Sequence, residues 1–249
     1  MKKTIIALMA LAGVAMADSI VLDDASWVTD GKATVADGTI STGYTNWQVD
    51  TASYTLGQTL SYTQKDTLTF SFSATSNGTG NSMLTLALIG TTKAIVVGHG
   101  TYDKPADELQ AAVTDNLTAN GYGFASTNPG DDIQLTPGAT LSGGMPAGGA
   151  TTTISGSIAW DGNSYSLTLS SSAVENVMSY DLGITTLDLS KIMVTLEGGD
   201  GADTDGGWAM ASMSNLSISA PAAPAAPEPT TATLSLLALA GLAARRRRK

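Results

Sequence analysis

The sequence contains no cysteine and a single histidine, His99. The fold must therefore stand without disulfides. A nucleophile paired with histidine would depend on His99 alone, and the chain has no Gly-x-Ser-x-Gly motif, which presents the serine of many hydrolases. We therefore predict that His99 is a strand-end residue and that the protein is not an enzyme.

Closely spaced carboxylates of the glycosidase type are also missing. Jelly-roll glycosidases carry a Glu-x-Asp-x-Glu strand, which places acid and base on one face. No such pattern occurs here, because Glu108, Glu175 and Glu197 are isolated from one another. The sequence therefore predicts no catalytic residues for glycan cleavage, although carboxylates from distant parts of a chain can still meet in space.

Basic residues are scarce, and most lie at the two ends of the chain. Of 12 lysines and arginines, only five lysines fall between residues 18 and 219, where they face 21 acidic residues for a formal charge of −16. Nucleic acids and anionic membranes both bind cationic patches, so the charge argues against them as partners. Neutral glycans, cations and basic proteins remain.

The first 17 residues have the order of a secretory signal peptide. Lys2 and Lys3 precede an apolar run from Ile5 to Val14, and Ala15-Met16-Ala17 fits a cleavage site with small residues. We predict export, with a mature chain that begins at Asp18.

The last 30 residues form a linker followed by a short apolar segment. Residues 220–229 are a Pro/Ala linker that ends in Pro227-Glu228-Pro229, and residues 230–244 are apolar before the cluster Arg245, Arg246, Arg247 and Arg248. Fifteen residues are fewer than the roughly 20 that span a bilayer comfortably. The arginines favour retention on the cytoplasmic side, so the body would face outward while the segment lies transiently in the inner membrane.

This tail resembles the PEP-CTERM sorting signal of Gram-negative envelope and matrix proteins. The resemblance covers residues 227–249 and implies that an exosortase-type enzyme cleaves near Pro227-Glu228-Pro229, which releases or re-anchors the protein. It implies an exported protein of the cell envelope, outer surface or extracellular space. An ordinary C-terminal membrane anchor is the alternative.

Residues 18–219 have the length of one domain and a two-residue period of apolar positions. Thr67–Ala74 and Met83–Ile89 read as strands, joined as a hairpin by the turn-forming residues 76–81. Asp37-Gly38 and Asp161-Gly162 predict two further hairpins. Other predicted strands are Lys191–Leu196 and a closing strand, Trp208–Ser219.

Helical signals are few. Asp107 and Glu108, followed by Leu109, Val113 and Leu117 at intervals of four, predict one amphipathic helix that ends before Gly121. A shorter helix is predicted over Ala173–Met178.

Many short strands without βαβ alternation predict an all-β fold, an antiparallel β-sandwich with one short inserted helix. The hairpin Trp160 to Leu169, with the pattern Trp-Asp-Gly-x-x-Tyr-x-Leu-x-Leu, and the closing strand resemble concanavalin A-like jelly rolls of the lectin and laminin-G kind. An immunoglobulin-like sandwich is the alternative.

The best candidate for a ligand site is the glycine-rich acidic stretch of residues 198–207. Asp200, Asp203 and Asp205 supply the oxygen ligands that calcium prefers, although the stretch lacks the spacing and closing glutamate of an EF-hand. A solvated acidic turn is the alternative reading. The four tryptophans, Trp27, Trp47, Trp160 and Trp208, suit the core, although their flat faces also suit sugar stacking.

Two functions follow. The first is a non-catalytic structural or adhesive protein of the cell surface or matrix. The second is a calcium-supported lectin-like or glycan-cleaving domain that acts on extracellular polysaccharide. Tryptophans exposed on a concave face, or a pair of carboxylates in a cleft, would favour the second.

Overall fold

The computed structural model describes residues 18–42, 49–76, 83–99, 108–117, 121–124, 133–145, 150–197 and 211–221. These residues form strands and turns, with one turn of 3-10 helix at Asp24–Ser26 and no α-helix. In this described part no helix has the length and hydropathy to cross a bilayer. The strands are, in chain order, β1 (Val28–Asp30), β2 (Thr34–Ala36), β3 (Thr39–Thr42), β4 (Val49–Tyr62), β5 (Leu68–Ser76), β6 (Met83–Ile89), β7 (Ala94–His99), β8 (Leu109–Thr114), β9 (Tyr122–Phe124), β10 (Ile133–Leu135), β11 (Ala139–Leu141), β12 (Thr151–Trp160), β13 (Tyr165–Ser171), β14 (Val177–Ile184), β15 (Leu187–Glu197) and β16 (Ala211–Ile218).

Two seven-stranded antiparallel sheets face each other as a sandwich. The first sheet has the order β1-β4-β15-β6-β7-β8-β11, and the second has the order β14-β13-β12-β5-β16-β3-β2. Strands β9 and β10 form a separate parallel pair. Most neighbours within a sheet are distant in the chain, so the fold depends on long-range pairing.

Apolar side chains from alternate positions of both sheets fill the space between them. Phe70, Phe72 and Ile154 come from the second sheet, and Leu86 and Val194 come from the first. All five are at most 3% exposed. The two-residue period of the sequence therefore reflects one face of each sheet turned toward this core.

The first sheet is also buried on its outer face, where β9 and β10 cover it. Tyr122 and Phe124 pack with Ala87, Val96 and Met193 in a second apolar cluster. Two threonines of the sheet hold the covering segment: Thr85 Oγ1 donates to the Tyr122 carbonyl at 2.8 Å, and the Tyr122 N–H donates to Thr195 Oγ1 at 3.1 Å. Both clusters lie within Asp18–Pro221, which forms one compact unit, so this segment carries the core it needs to fold.

Both hairpins predicted from Asp-Gly pairs are confirmed. Strands β2 and β3 pair around Asp37 and Gly38, whose φ angles of 51° and 68° are those of a tight turn. Strands β12 and β13 pair from Trp160 opposite Tyr165 to Ile154 opposite Ser171. In the second turn Asp161 Oδ1 accepts from the N–H groups of Asn163 (2.8 Å) and Ser164 (3.0 Å).

The predicted hairpin between β5 and β6 is wrong, although both strands are present. β5 lies in the second sheet and β6 in the first, so the chain crosses the sandwich between them. Every residue of β6 is buried, as expected for the predicted central strand. Turn-forming residues permit a connection to the other sheet as readily as a hairpin. Because β6 is buried on both faces, it must lie at the centre of the first sheet, between β15 and β7.

The predicted inserted helix is wrong in the part that the structure describes. Leu109–Thr114 is strand β8, paired with β7 and β11. Residues four apart share one side of a strand as well as one face of a helix, so the spacing of Leu109 and Val113 fits both. Leu117 packs against the outer cluster, whereas Leu109 lies in the core between the sheets, which separates residues that a helix would have aligned.

The shorter helix predicted over Ala173–Met178 is also absent. Ser171 ends β13 and its hydroxyl accepts from the Ala173 N–H at 3.2 Å, a local bond that competes with helix formation. Strand β14 then begins at Val177.

The two ends of the sandwich pair with each other. Ser19 and Ser219 form an antiparallel bridge, the Ile20 N–H donates to the Ile218 carbonyl at 2.8 Å, and the Ala220 N–H donates to the Asp18 carbonyl at 2.6 Å. Residues 1–17 and 222–249, the predicted signal peptide and sorting segment, lie outside the described residues.

We expect Phe72→Ala to lower the free energy of unfolding by about 3–5 kcal/mol, because the side chain is 1% exposed between the sheets. The matched control is Ser73→Ala, one residue along on the outer face, with an expected change within about 0.5 kcal/mol. Urea unfolding of residues 18–221 measures both. Equal losses in the two variants would contradict the assignment of the faces.

Candidate functional site

The predicted calcium ligands Asp200, Asp203 and Asp205 lie outside the described residues. Their stretch follows Glu197, the last residue of β15. Within the described residues no group of three or more histidines, aspartates or glutamates is arranged to hold a metal ion. The calcium site therefore stays a prediction.

Three ionisable side chains are buried at the end of the first sheet that precedes this acidic stretch. Asp50, His99 and Glu197 are 1%, 3% and 0% exposed. His99 is the last residue of β7, as predicted, and pairs with Leu84. Asp50 is the second residue of β4, which pairs with the strand β15 that ends in Glu197.

Asp50 acts as a structural anchor. Its Oδ1 accepts the Lys32 N–H at 2.8 Å, and its Oδ2 accepts the Thr42 hydroxyl. A side chain at Gly31 would collide with the carboxylate, since a Cβ there would lie 2.0 Å from Oδ1. The carboxylate thus ties β3 and the turn after β1 to β4.

The outer face of the second sheet consists almost entirely of serine and threonine. We call this surface the hydroxyl face. Ala36, Ala159, Val177, Asp181 and Asn215 interrupt it; Asp181 lies on the edge strand β14, and the Asn215 amide donates to the Ser73 hydroxyl at 3.4 Å. Its hydroxyl residues, all at least partly exposed, are Thr34, Thr39, Ser41, Thr69, Ser71, Ser73, Thr75, Thr151, Thr153, Ser155, Ser157, Ser166, Thr168, Ser170, Ser179, Ser212, Ser214 and Ser217.

The strand register arranges these hydroxyls in rows across the sheet. One row runs through Thr151, Thr75, Ser212, Ser41 and Thr34 on five neighbouring strands. Thr75 and Thr151 lie 2.8 Å apart through their hydroxyl oxygens, and Thr34 and Ser41 lie 3.1 Å apart. The result is an ordered and nearly uncharged surface on a strongly acidic protein.

A polar groove opens at one end of the sandwich, between the loops 63–67, 90–93 and 185–186. It has a volume of about 400 Å³, and we call it the end groove. Tyr62 and Tyr165 form part of its lining, and both are buried. Tyr165 donates its hydroxyl to the Tyr62 carbonyl at 3.0 Å, and Tyr62 donates to the Ser219 carbonyl at 2.6 Å. Sequence reasoning missed this groove, because its residues meet only through the strand order.

Carboxylates fix two of the loops around the end groove. Asp66 Oδ2 accepts both the N–H and the hydroxyl of Thr63 at 2.7 Å. Asp188 Oδ2 accepts the Thr91 N–H at 3.1 Å and the Thr91 hydroxyl at 2.5 Å. These bonds hold the loops in place before any ligand arrives.

The tyrosines of the groove titrate at high pH. Burial raises the pKa of Tyr62 well above its ordinary value of 10.0, and the negative charge of Asp66 raises it further. The same two causes, in the same order, raise the pKa of Tyr165. The field of Asp66 therefore reaches the groove and opposes negative charge there.

Two carboxylates near Tyr165, Asp161 in the turn between β12 and β13 and Asp181 on β14, accept hydrogen bonds from residues close to them. Hydrogen bonds from the N–H groups of Ser164 and Asn163 and from the Ser166 hydroxyl lower the pKa of Asp161. The Ser164 hydroxyl and the Gly183 N–H lower the pKa of Asp181.

Trp27 and Trp160 are half-buried and pack against the core between the sheets. Trp27 meets Tyr54 edge-on with ring centres 5.4 Å apart, and Trp160 meets Tyr165 at 5.3 Å. Trp47 and Trp208 lie outside the described residues. The two described tryptophans are thus held by neighbouring rings at the rim of the core.

No protein-family model matches the chain, and no curated protein matches it. Solved structures do match. The carbohydrate recognition domain of Emp47p is 13% identical to this chain. The alignment covers 80% of this chain and 89% of the Emp47p domain, with a TM-score of 0.50. Arcelin-5, a lectin-like defense protein from Phaseolus vulgaris, is 10% identical over 80% and 93% of the two chains, also with a TM-score of 0.50. Basic winged bean lectin is 10% identical over 82% and 96%, with a TM-score of 0.48.

At such low identity the two likenesses with a TM-score of 0.50 establish the fold alone. The protein is an all-β antiparallel sandwich of the concanavalin A-like type, which confirms the predicted fold class apart from its inserted helix.

We expect Tyr62→Phe to lower the free energy of unfolding at pH 7 by about 1 kcal/mol, because the Ser219 carbonyl loses its donor. Above the ordinary pKa of 10.0, unfolded wild type releases a phenol proton that the folded state keeps, so wild-type stability falls as the pH rises. The variant has no phenol at this position and lacks this loss. The difference in free energy of unfolding between the two proteins should therefore narrow between pH 10 and 11. Urea unfolding from pH 7 to pH 11 measures it, and a constant gap would contradict the raised pKa.

Proposed function

We propose that the chain is an exported, non-catalytic protein of the cell surface or extracellular matrix, in which the sandwich is a structural or adhesive module. The hydroxyl face is the observation that carries this proposal. It is broad and polar, and Asp181 at its edge is its one ionisable residue, while the segment of residues 18–219 has a formal charge of −16. An uncharged face lets such an acidic protein lie against a polymer or another surface with little electrostatic repulsion.

The chemistry of serine and threonine suits weak adhesion at many points. Each hydroxyl both donates and accepts hydrogen bonds. Ser and Thr are short, so holding them in place costs little side-chain entropy compared with long polar side chains. A single contact exchanges one bond to water for another and gains little. Many contacts along one polymer add through effective concentration, which is how weak sites produce adhesion.

The described carboxylates support the non-catalytic reading. Asp188 is the one carboxylate that lines the end groove, and Thr91 already donates twice to one of its oxygens. Glycoside hydrolysis needs a pair of carboxyl groups about 5–9.5 Å apart around the scissile bond, and Asp188 alone does not supply such a pair in the lining of the groove.

The sequence supplies the route to the surface. The signal peptide of residues 1–17 directs export, the apolar segment of residues 230–244 lies transiently in the inner membrane, and an exosortase-type partner cleaves near Pro227-Glu228-Pro229. The resemblance of the tail to PEP-CTERM signals supports this proposal.

We expect replacement of Pro227, Glu228 and Pro229 by alanine to leave the protein uncut and retained in the inner-membrane fraction. The sorting enzyme would no longer find its motif, whereas the apolar segment and arginines would be unchanged. Expression in a Gram-negative host with an exosortase-type enzyme, followed by fractionation and mass measurement, tests this. Pro224→Ala, in the same linker but outside the motif, is the control, and normal processing of the triple variant would contradict the sorting proposal.

Carbohydrate binding supported by calcium is the second candidate function. The observation that favours it is the fold shared with the carbohydrate recognition domain of Emp47p. Extracellular polysaccharide would then be the partner, and Asp200, Asp203 and Asp205 would hold the calcium ion.

Calcium at this stretch should stabilise the folded state by mass action, by about 2.7 kcal/mol at a concentration one hundred times the Kd. We therefore expect calcium to raise the Tm of residues 18–221 and expect the triple variant Asp200→Asn, Asp203→Asn, Asp205→Asn to lose this rise. The variant Asp131→Asn, Asp132→Asn is the matched acidic control. A Tm that calcium leaves unchanged would remove calcium from the proposal.

A further inference from the structure

We propose that the end groove binds a neutral saccharide through a contact that does not involve calcium. The inference rests on the second candidate function, carbohydrate binding, and gives it a location and a ligand class.

The size and shape of the groove suit a small ligand. Its volume of about 400 Å³ falls within the range of about 300–1,000 Å³ typical of ligand pockets. The tyrosine hydroxyls of Tyr62 and Tyr165 are engaged with backbone carbonyls, so the rings form a fixed part of the lining.

The walls of the groove are set before binding. Asp66 holds loop 63–67 and Asp188 holds loop 90–93 by side-chain hydrogen bonds, and the Gly90 N–H donates to the Lys93 carbonyl at 2.9 Å within the second loop. A ligand therefore does not have to order these loops, and more of its contact energy is available for affinity.

Several polar side chains of the groove are uncommitted. Ser61, Gln64, Thr92, Thr185 and Thr186 line it, and none of them makes a side-chain hydrogen bond among the described residues. Hydroxyl and amide groups of this kind donate and accept at the same time, which matches the hydroxyls of a sugar.

Charge excludes anionic ligands. Asp188 is the one charged side chain in the lining, and the nearby carboxylate of Asp66 makes the groove still more negative. Lys65 and Lys93 belong to loops around the groove but not to its lining, and Lys93 pairs with Asp115 at 3.8 Å. Phosphates, sulfated glycans and uronic acids would meet repulsion here, whereas a neutral saccharide would not.

Calcium cannot bridge the sugar in this groove. Calcium takes six to eight oxygen ligands, and the groove offers the single carboxylate of Asp188, which is already engaged. The predicted calcium ligands follow Glu197 at the opposite end of β15. At about 3.3 Å per residue, β15 separates Leu187 in the groove from Glu197 by about 33 Å.

The test is a printed array of neutral and anionic glycans, probed with residues 18–221 in calcium and again in excess chelator. We expect binding to neutral glycans alone, with the same strength in both conditions. Loss of binding on chelation would overturn the groove proposal while leaving a calcium-dependent lectin. Absence of binding to every glycan would overturn both the groove proposal and the carbohydrate-binding function.

Variants locate the site on the best neutral glycan of the array. Thr186→Val and Thr92→Val remove a hydroxyl and keep the side-chain shape, and Gln64→Ala removes the amide at an exposed position. Each should weaken binding at least tenfold, measured by calorimetry on proteins whose Tm is unchanged. Thr29→Val on the exposed strand β1, outside both the end groove and the hydroxyl face, is the matched control. An equal loss in that variant, or none in the three groove variants, would overturn the proposal.

Discussion

Burial of the central strands of the first sheet on both faces is the constraint on which the rest of this structure depends. A sheet of a sandwich ordinarily has one buried and one solvent-exposed face, but β6 has no exposed residue. Strands β9 and β10 supply the second cover, and Thr85 and Thr195 hold it by hydrogen bonds to Tyr122. Without disulfides, these two apolar layers carry the stability of the protein, and the second sheet keeps a mainly polar outer surface.

The difference in burial between the two sheets determines which surfaces a ligand can reach. The outer face of the first sheet is covered over its central strands, and the hydroxyl face and the ends of the sandwich, where loops meet, are open to ligands. At one end the ionisable residues Asp50, His99 and Glu197 are buried, and Asp50 serves as an anchor. At the other end the carboxylates of Asp66 and Asp188 stiffen loops and leave neighbouring hydroxyls available. One surface protein can use the broad hydroxyl face for weak adhesion and the small, rigid end groove for a ligand.

Local patterns in the sequence predicted much of the fold. Alternation gave β5, β6 and β15, and the Asp-Gly pairs gave two hairpins, because these signals depend on residues close in the chain. The predicted helix at residue 109 failed, since a spacing of four fits a strand equally well and only Leu117, packed on the other face, separates the two readings. The end groove was beyond reach, because Tyr62, Thr92 and Thr186 come from three separate parts of the chain. The hydroxyl face was partly visible in the alternating serines and threonines of residues 67–74, but its rows needed the strand register.

The pairing of Asp18–Ile20 with Ile218–Ala220 has a mechanical consequence. Strand β16 lies inside the second sheet, bonded to β5 on one side and β3 on the other. Hydrogen bonds of antiparallel strands run perpendicular to the strands, so a force transmitted along β16 from Pro221 would load both ladders in shear. Many bonds must then yield together, unlike a peeling edge strand, whose bonds break one at a time. A module built this way would resist extension by flow when held through its C-terminal end.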